Sequence, residues 1–260
     1  MTNPLYLYGI FPKPGPQQID LAGLDDQPVQ AQDLDGFIFL YSEAASLKAD
    51  EEKTPDGKPK KKKVYLASRR NLMRHERVLE SAMEQGCRTL LPLQFGLVIE
   101  DWQLVRSQLT QPQGDALKTL FSKLEGHREV SVKLFWDQPQ ELQQLMQENT
   151  DLRAERDRLE GKTLSMDEIV KIGQSVEQAM GDRQQHILNA FRTTLNPLAT
   201  EVVENAPMSP EMIFNTAYLI PWNDEAAFGQ HVEALDAQFE SRLKIRYNNF
   251  TAPFNFAQLQ

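Results

Sequence analysis

The chain opens with Leu5-Tyr6-Leu7-Tyr8-Gly9-Ile10-Phe11, a run of large apolar and aromatic residues that stops at Pro12-Lys13-Pro14-Gly15-Pro16. Proline has no N–H to give to a sheet ladder, so the pattern predicts a strand followed by a loop. Gln27 to Leu34 reads as a short edge strand. Asp35-Gly36 then leads into Phe37-Ile38-Phe39-Leu40-Tyr41, and the Asp-Gly pair predicts a hairpin. Ser68 is placed to cap a helix reaching Gly86, with Leu72, Leu79, Ala82 and Met83 on one face. Arg69, Arg70, Arg74 and Arg77 crowd the same helix. The first two stand at its positive dipole end, which disfavours cations. A partner carboxylate and a plain exposed arginine face are the two readings of that crowding.

Further on, Thr89 to Ile99 is a strand interrupted at Pro92. A helix pair follows, with Asp101 and Asp115 as N-caps and Gly126 as its end. Val130, Val132, Leu134 and Trp136 alternate with Glu129, Ser131, Lys133 and Phe135, a half-buried strand of period two. Pro139 starts a helix in which Leu142, Leu145, Asn149, Leu152 and Leu159 repeat at near-heptad spacing up to Gly161. The seam is too short and too polar for a coiled coil, and predicts a projecting helix. Ser165-Met166-Asp167-Glu168 is a capping box, and the stripe from Ile169 to Leu195 makes a long helix closed by Asn196-Pro197. Strands at Thr200–Glu204 and Met212–Ile220, a helix capped by Asn223 and a strand with Leu243, Ile245 and Tyr247 complete the pattern. With the strand at 129–136, the order is β-α-β-β-α-β, the ferredoxin-like arrangement.

The fold class is therefore α+β, with two small domains. Residues 1–127 form an N-terminal α+β domain, and 128–260 form a ferredoxin-like domain with a long extra helix. A chain of 260 residues with 40% hydrophobic and 25% charged positions is comfortable for two cores. Residues 46–63 break the pattern: acidic residues, Pro55, Gly57, Pro59 and Lys60 to Lys63 carry almost no apolar content, which predicts a mobile lysine-rich loop.

Charge and chemistry narrow the function. The net charge of −9 opposes attraction to nucleic acid or anionic lipid. Cys87 is the sole cysteine, so no intrachain disulfide is possible, which fits a reducing compartment. The start lacks the pattern of a signal peptide, and no apolar run approaches the ~20 residues needed to span a bilayer. His75-Glu76 begins like a zinc helix, but Leu79 stands where the second histidine belongs. His127, His186 and His231 are scattered, and no phosphate loop or dinucleotide fingerprint occurs. These residues predict no catalytic constellation, no metal and no cofactor. A hydrolase or metal enzyme assembled from distant residues, and a ferredoxin-like RNA-binding adaptor, stand as alternatives. The RNA reading lacks the glycine-and-aromatic motif that such sheets use to stack bases.

Three segments resemble the gas vesicle protein family GvpF/GvpL. They are Tyr6-Leu7-Tyr8-Gly9-Ile10, then Arg74-His75-Glu76 through Leu91-Pro92-Leu93-Gln94-Phe95-Gly96, and Leu243 to Tyr247 followed by Ala252-Pro253-Phe254-Asn255-Phe256. They occur in order along nearly the whole chain. The resemblance implies a non-catalytic accessory protein of gas vesicles, the gas-filled protein shells inside aquatic microbes. It would be located with the vesicle inside the cytoplasm. Its implied partners are the very hydrophobic major shell protein and other accessory proteins, with no nucleic acid and no lipid membrane. A protein that meets apolar shell subunits should offer apolar or aromatic surface bordered by charge. Phe250, Phe254 and Phe256 in the C-terminal segment, and Leu145 and Leu152 on the helix seam, are the expected contact residues. Core packing is the competing reading for both groups.

Overall fold

The computed structural model describes residues 4–45, 48–53, 59–159, 165–240 and 242–259, and only the backbone at 48–53, 59–64, 156 and 159. The fold is α+β. It divides into two compact units, one made of Met1–Glu129 with Phe250–Gln260 and the other of Val130–Asn249. The sequence pattern placed the division after residue 127 and kept 250–260 with the second half. The structure groups that last segment with the first unit.

In the first unit, β1 (Leu5–Pro12) is antiparallel to β3 (Phe37–Glu43), with a bulge between Leu7 and Gly9. β2 (Gln30–Leu34) lies at the edge against β3. Asp35 and Gly36 both take positive φ, 51° and 93°, the geometry of a tight hairpin turn that Asp-Gly supplies at low cost. β4 (Lys48–Lys53) pairs antiparallel with β5 (Pro59–Val64), so two strands run through the segment expected as a mobile lysine-rich loop. The register sets Asp50, Glu51 and Glu52 opposite Lys62, Lys61 and Lys60. Positions 46–47 and 54–58 of the expected loop lie outside the described residues.

Helix α1 (Arg69–Glu84) starts where Ser68 Oγ accepts the Asn71 N–H at 3.2 Å. It buries His75, Val78, Leu79, Ala82 and Met83, whereas Leu72, expected on that face, is 39% exposed. The apolar periodicity had left His75 out, because only a satisfied histidine can sit on a core face. Short strands β6 (Leu91–Pro92) and β7 (Val98–Ile99) complete the sheet against β1. Next, α2 (Trp102–Val105) continues through a π-helical turn at Arg106–Thr110 into α3 (Gln111–Leu124). Asp101 caps as expected, accepting the Leu104 N–H at 2.9 Å. Asp115 does not cap anything. It lies inside α3, since Pro112 needs no donor in the first turn and lets the helix run on.

The second unit takes strand β8 (His127–Phe135) past Glu129, then α4 (Gln138–Glu148), α5 (Thr150–Leu159), α6 (Met166–Leu195), β9 (Glu201–Glu204), β10 (Met212–Pro221), α7 (Glu225–Gln238) and β11 (Lys244–Thr251) as far as Asn249. The sheet order is β11–β8–β10–β9, with β9 antiparallel to β10. Val130, Val132 and Leu134 of β8 pack with Ile187, Phe191 and Leu195 of α6 and with Phe228, Val232 and Leu235 of α7 in one core. Phe191 stacks on Phe239 with ring centroids 6.0 Å apart. The capping box at Ser165 and Glu168 forms as expected. The single helix expected from Pro139 to Gly161 is instead two. Asn149 leaves the helical region, and its Oδ1 accepts the N–H groups of Asp151 and Leu152 at 3.1 and 3.0 Å, starting α5. Nor does the helix project, since Leu145 is 7% exposed in the core and Leu142 and Leu152 pack against it.

Candidate docking surfaces and the buried polar groups behind them

Burial separates the five residues expected to contact a partner. Phe256 is 2% exposed and Leu145 7%, so both are core side chains, a correction to their reading as surface contacts. Phe250, Phe254 and Leu152 are half-buried and keep part of their surface in water. Phe256 is held by a turn in which its N–H bonds the Pro253 carbonyl at 3.2 Å, and the Lys123 ammonium lies 5.8 Å from its ring centre. The Arg128 guanidinium stands over Phe250 at 5.8 Å. Phe254 lies beside His75, ring centres 6.4 Å apart.

Glu129 fastens the segment. It is 3% exposed, and its carboxylate accepts the Asn255 backbone N–H at 2.9 Å and the Asn255 Nδ2–H at 2.6 Å. Burial raises its pKa to about 7, even though both Asn255 bonds favour the charged form. The period-two pattern had put Glu129 on the exposed side of β8. No local signal could mark it as buried, because its partner lies 126 positions away.

A second buried set explains the motifs that carry the family resemblance. His75 Nε2 stands 3.0 Å from the Leu93 carbonyl, which can only accept, so the proton sits on Nε2 and Nδ1 is free to accept. The Tyr6 hydroxyl therefore donates to Nδ1 at 2.8 Å, and its oxygen accepts the Gly96 N–H at 3.2 Å. This neutral arrangement accords with burial, which lowers the His75 pKa to about 4. Next to it, the Tyr8 hydroxyl accepts the Leu24 N–H at 2.8 Å and meets Ser42 Oγ at 2.9 Å. At Gly9 a Cβ would come within 2.7 Å of Leu79 Cδ2 and 3.2 Å of the Leu91 carbonyl oxygen, so any larger residue there would push on the buried Leu79 side chain of α1. Tyr6, Gly9, His75, Leu93 and Gly96 are thus one structural node. Its hydroxyl and imidazole are spent on each other and on the Leu93 and Gly96 backbone groups.

Elsewhere, burial raises the Cys87 thiol pKa, which makes it a poorer nucleophile. Among the described residues, no three His, Cys, Asp or Glu side chains converge as metal ligands. No described helix is long and apolar enough to cross a membrane.

The molecule is, by its class, a two-unit α+β protein whose conspicuous polar residues hold its fold together. The family model described as gas vesicle synthesis protein GvpL/GvpF matches residues 4–258. The chain is 52% identical over 259 residues to gas vesicle protein F of Nostoc sp. strain PCC 7120, with 100% of each chain covered. It is 51% identical to that of Dolichospermum flosaquae, covering 100% of this chain and 99% of the relative. The crystal structure of the gas vesicle protein GvpF from Anabaena sp. PCC7120 superimposes with a TM-score of 0.84 at 52% identity, all of both chains covered. That of GvpF from Microcystis aeruginosa gives 0.79 at 51% identity, covering 99% of this chain and 100% of the other. The chain belongs to the GvpL/GvpF family of gas vesicle proteins.

Proposed function

We propose that this chain is a non-catalytic accessory protein of gas vesicles, placed with the vesicle inside the cytoplasm, which binds the hydrophobic major shell protein and supports vesicle assembly. The observation that carries the reading is the end-to-end match, near 52% identity, with relatives named for gas vesicles. The polar groups lend it support. The Tyr6–His75 pair and Glu129 are each committed to holding backbone or side chain in place, a use suited to a scaffold. Phe250, Phe254 and Leu152, which keep apolar surface in water, are the contact residues retained from the five expected. Other accessory proteins of the vesicle are further partners on this reading, with neither nucleic acid nor lipid among them.

The test is co-expression of the tagged protein with the major shell protein, followed by capture and immunodetection. Retention of shell protein above a tag-only control is expected. Absence of retention across low and moderate salt, together with normal vesicles in cells lacking the protein, overturns the proposal.

A further inference from the structure

Exposed large apolar side chains gather on one stretch of the first unit. Leu66 is 59% exposed, Leu72 39% and Met73 57%. While α1 buries its His75–Leu79–Met83 side, its outward side borders an open space of about 590 Å³, with Arg69, Arg70 and Met73 at its start and Glu76 and Glu80 beside Arg74 and Arg77 further along. Two arginines of this helix are already engaged. Arg74 pairs with Asp26 at 2.6 Å, and Arg77 bonds Glu84 at 2.8 Å. Arg69 and Arg70 differ: both are exposed, and neither forms an ion pair among the described residues. They occupy the first turn, which carries no acidic residue, although the helix dipole favours carboxylates there.

We propose that the outward face of α1 is a further docking surface, beside that of Phe250, Phe254 and Leu152, for a helix of the shell protein that carries carboxylates beside apolar side chains. The proposal rests on the reading of the shell protein as partner and adds the place and the chemistry of the contact. Charge complementarity selects the occupant. In a chain of net charge −9, the two cations Arg69 and Arg70 beside exposed Met73 would draw a carboxylate-bearing helix that the rest of the surface repels, while the arginines further along are balanced by Asp26, Glu80 and Glu84. Arginines are common binding hot spots, and methionine adapts its shape to the apolar side of a docked helix. Each carboxylate that docks also relieves the unfavourable placement of Arg69 and Arg70.

Capture of the major shell protein is compared for the wild type, Arg69→Glu/Arg70→Glu and Lys244→Glu, the last an exposed cation of the second unit. The double variant is expected to retain at least about tenfold less shell protein, since two hot-spot arginines are reversed. Lys244→Glu should match the wild type. Thermal melting of the double variant should be unchanged or higher, because glutamate suits a first helical turn. If the wild type captures shell protein and the double variant captures as much, this face is overturned while the shell-binding reading stands. If the wild type captures none, both fall. If the double variant abolishes self-association in sedimentation velocity but spares capture, the face belongs to a second copy of this chain and the proposal is overturned.

Discussion

Glu129 and Glu141 are the same side chain buried to the same degree, 3% and 2% exposed, in different units and with opposite solutions. Glu129 meets only amide donors, the Asn255 N–H and Nδ2–H, and burial raises its pKa to about 7. Glu141 lies between two guanidiniums. Arg183 Nε donates to it at 2.6 Å, and Arg242 Nη1 reaches both of its oxygens at 2.9 and 2.7 Å. Hydrogen bonds from neutral groups satisfy geometry without supplying countercharge, and in a dry site the countercharge decides whether a carboxylate keeps its charge.

The comparison breaks most sharply by truncation at the charged site. Glu141→Ala removes the anion that Arg183 and Arg242 share, leaving Arg183 its bond to half-exposed Glu148 at 2.7 Å and Arg242 no carboxylate among the described residues. It is expected to cost about 3–5 kcal/mol in urea denaturation, the usual penalty for half of a buried ion cluster. At the other site, Phe256→Ala removes a ring 2% exposed and should cost about 3–5 kcal/mol, whereas half-buried Phe254→Ala should cost about half as much or less. Equal and small losses at both positions would show that this segment is not core.

The pH profile sharpens the contrast. Glu129 has a native pKa of about 7 against an ordinary 4.5, so the native state holds its proton longer. Its contribution therefore falls as pH rises from 4.5 to 7, and is constant above. His75, native pKa about 4 against an ordinary 6.5, acts in the other direction: its contribution grows as pH rises from 4 to 6.5. The two slopes oppose each other between 4.5 and 6.5. Glu129→Gln should expose a rise in stability of up to about 1.4 kcal/mol per pH unit across that window, and His75→Gln a fall of similar size. Denaturation midpoints measured across that window check both signs. The smallest effect is expected from Glu129→Gln at pH 8, where removing a charge that burial disfavours offsets the altered hydrogen bond to within about 1 kcal/mol.

Local pattern was enough for the elements whose cause is local. The Asp35-Gly36 hairpin, the Ser68 cap and the Ser165–Glu168 capping box all follow from neighbours in sequence, and all formed. The helix break at Asn149 was readable in principle, because asparagine caps α5 with its own side chain, but its heptad position disguised it. Leu145 and Phe256 were misplaced because apolar periodicity gives a face without saying what covers it. The family motifs were legible as a set, yet their work was not. That Tyr6 reaches His75 across 69 positions, or Glu129 reaches Asn255 across 126, is a property of the folded chain alone.

The grouping of residues 250–260 with the first unit has a consequence for biosynthesis. A ribosome delivers residues 130–249 in full before it reaches Asn255, so the second unit has all its residues while the first still lacks the ring of Phe256 and the amide that Glu129 needs. The part of the protein translated earliest is then the last to close. A chain ended at residue 249 and released should present a protease-resistant second unit and a vulnerable beginning.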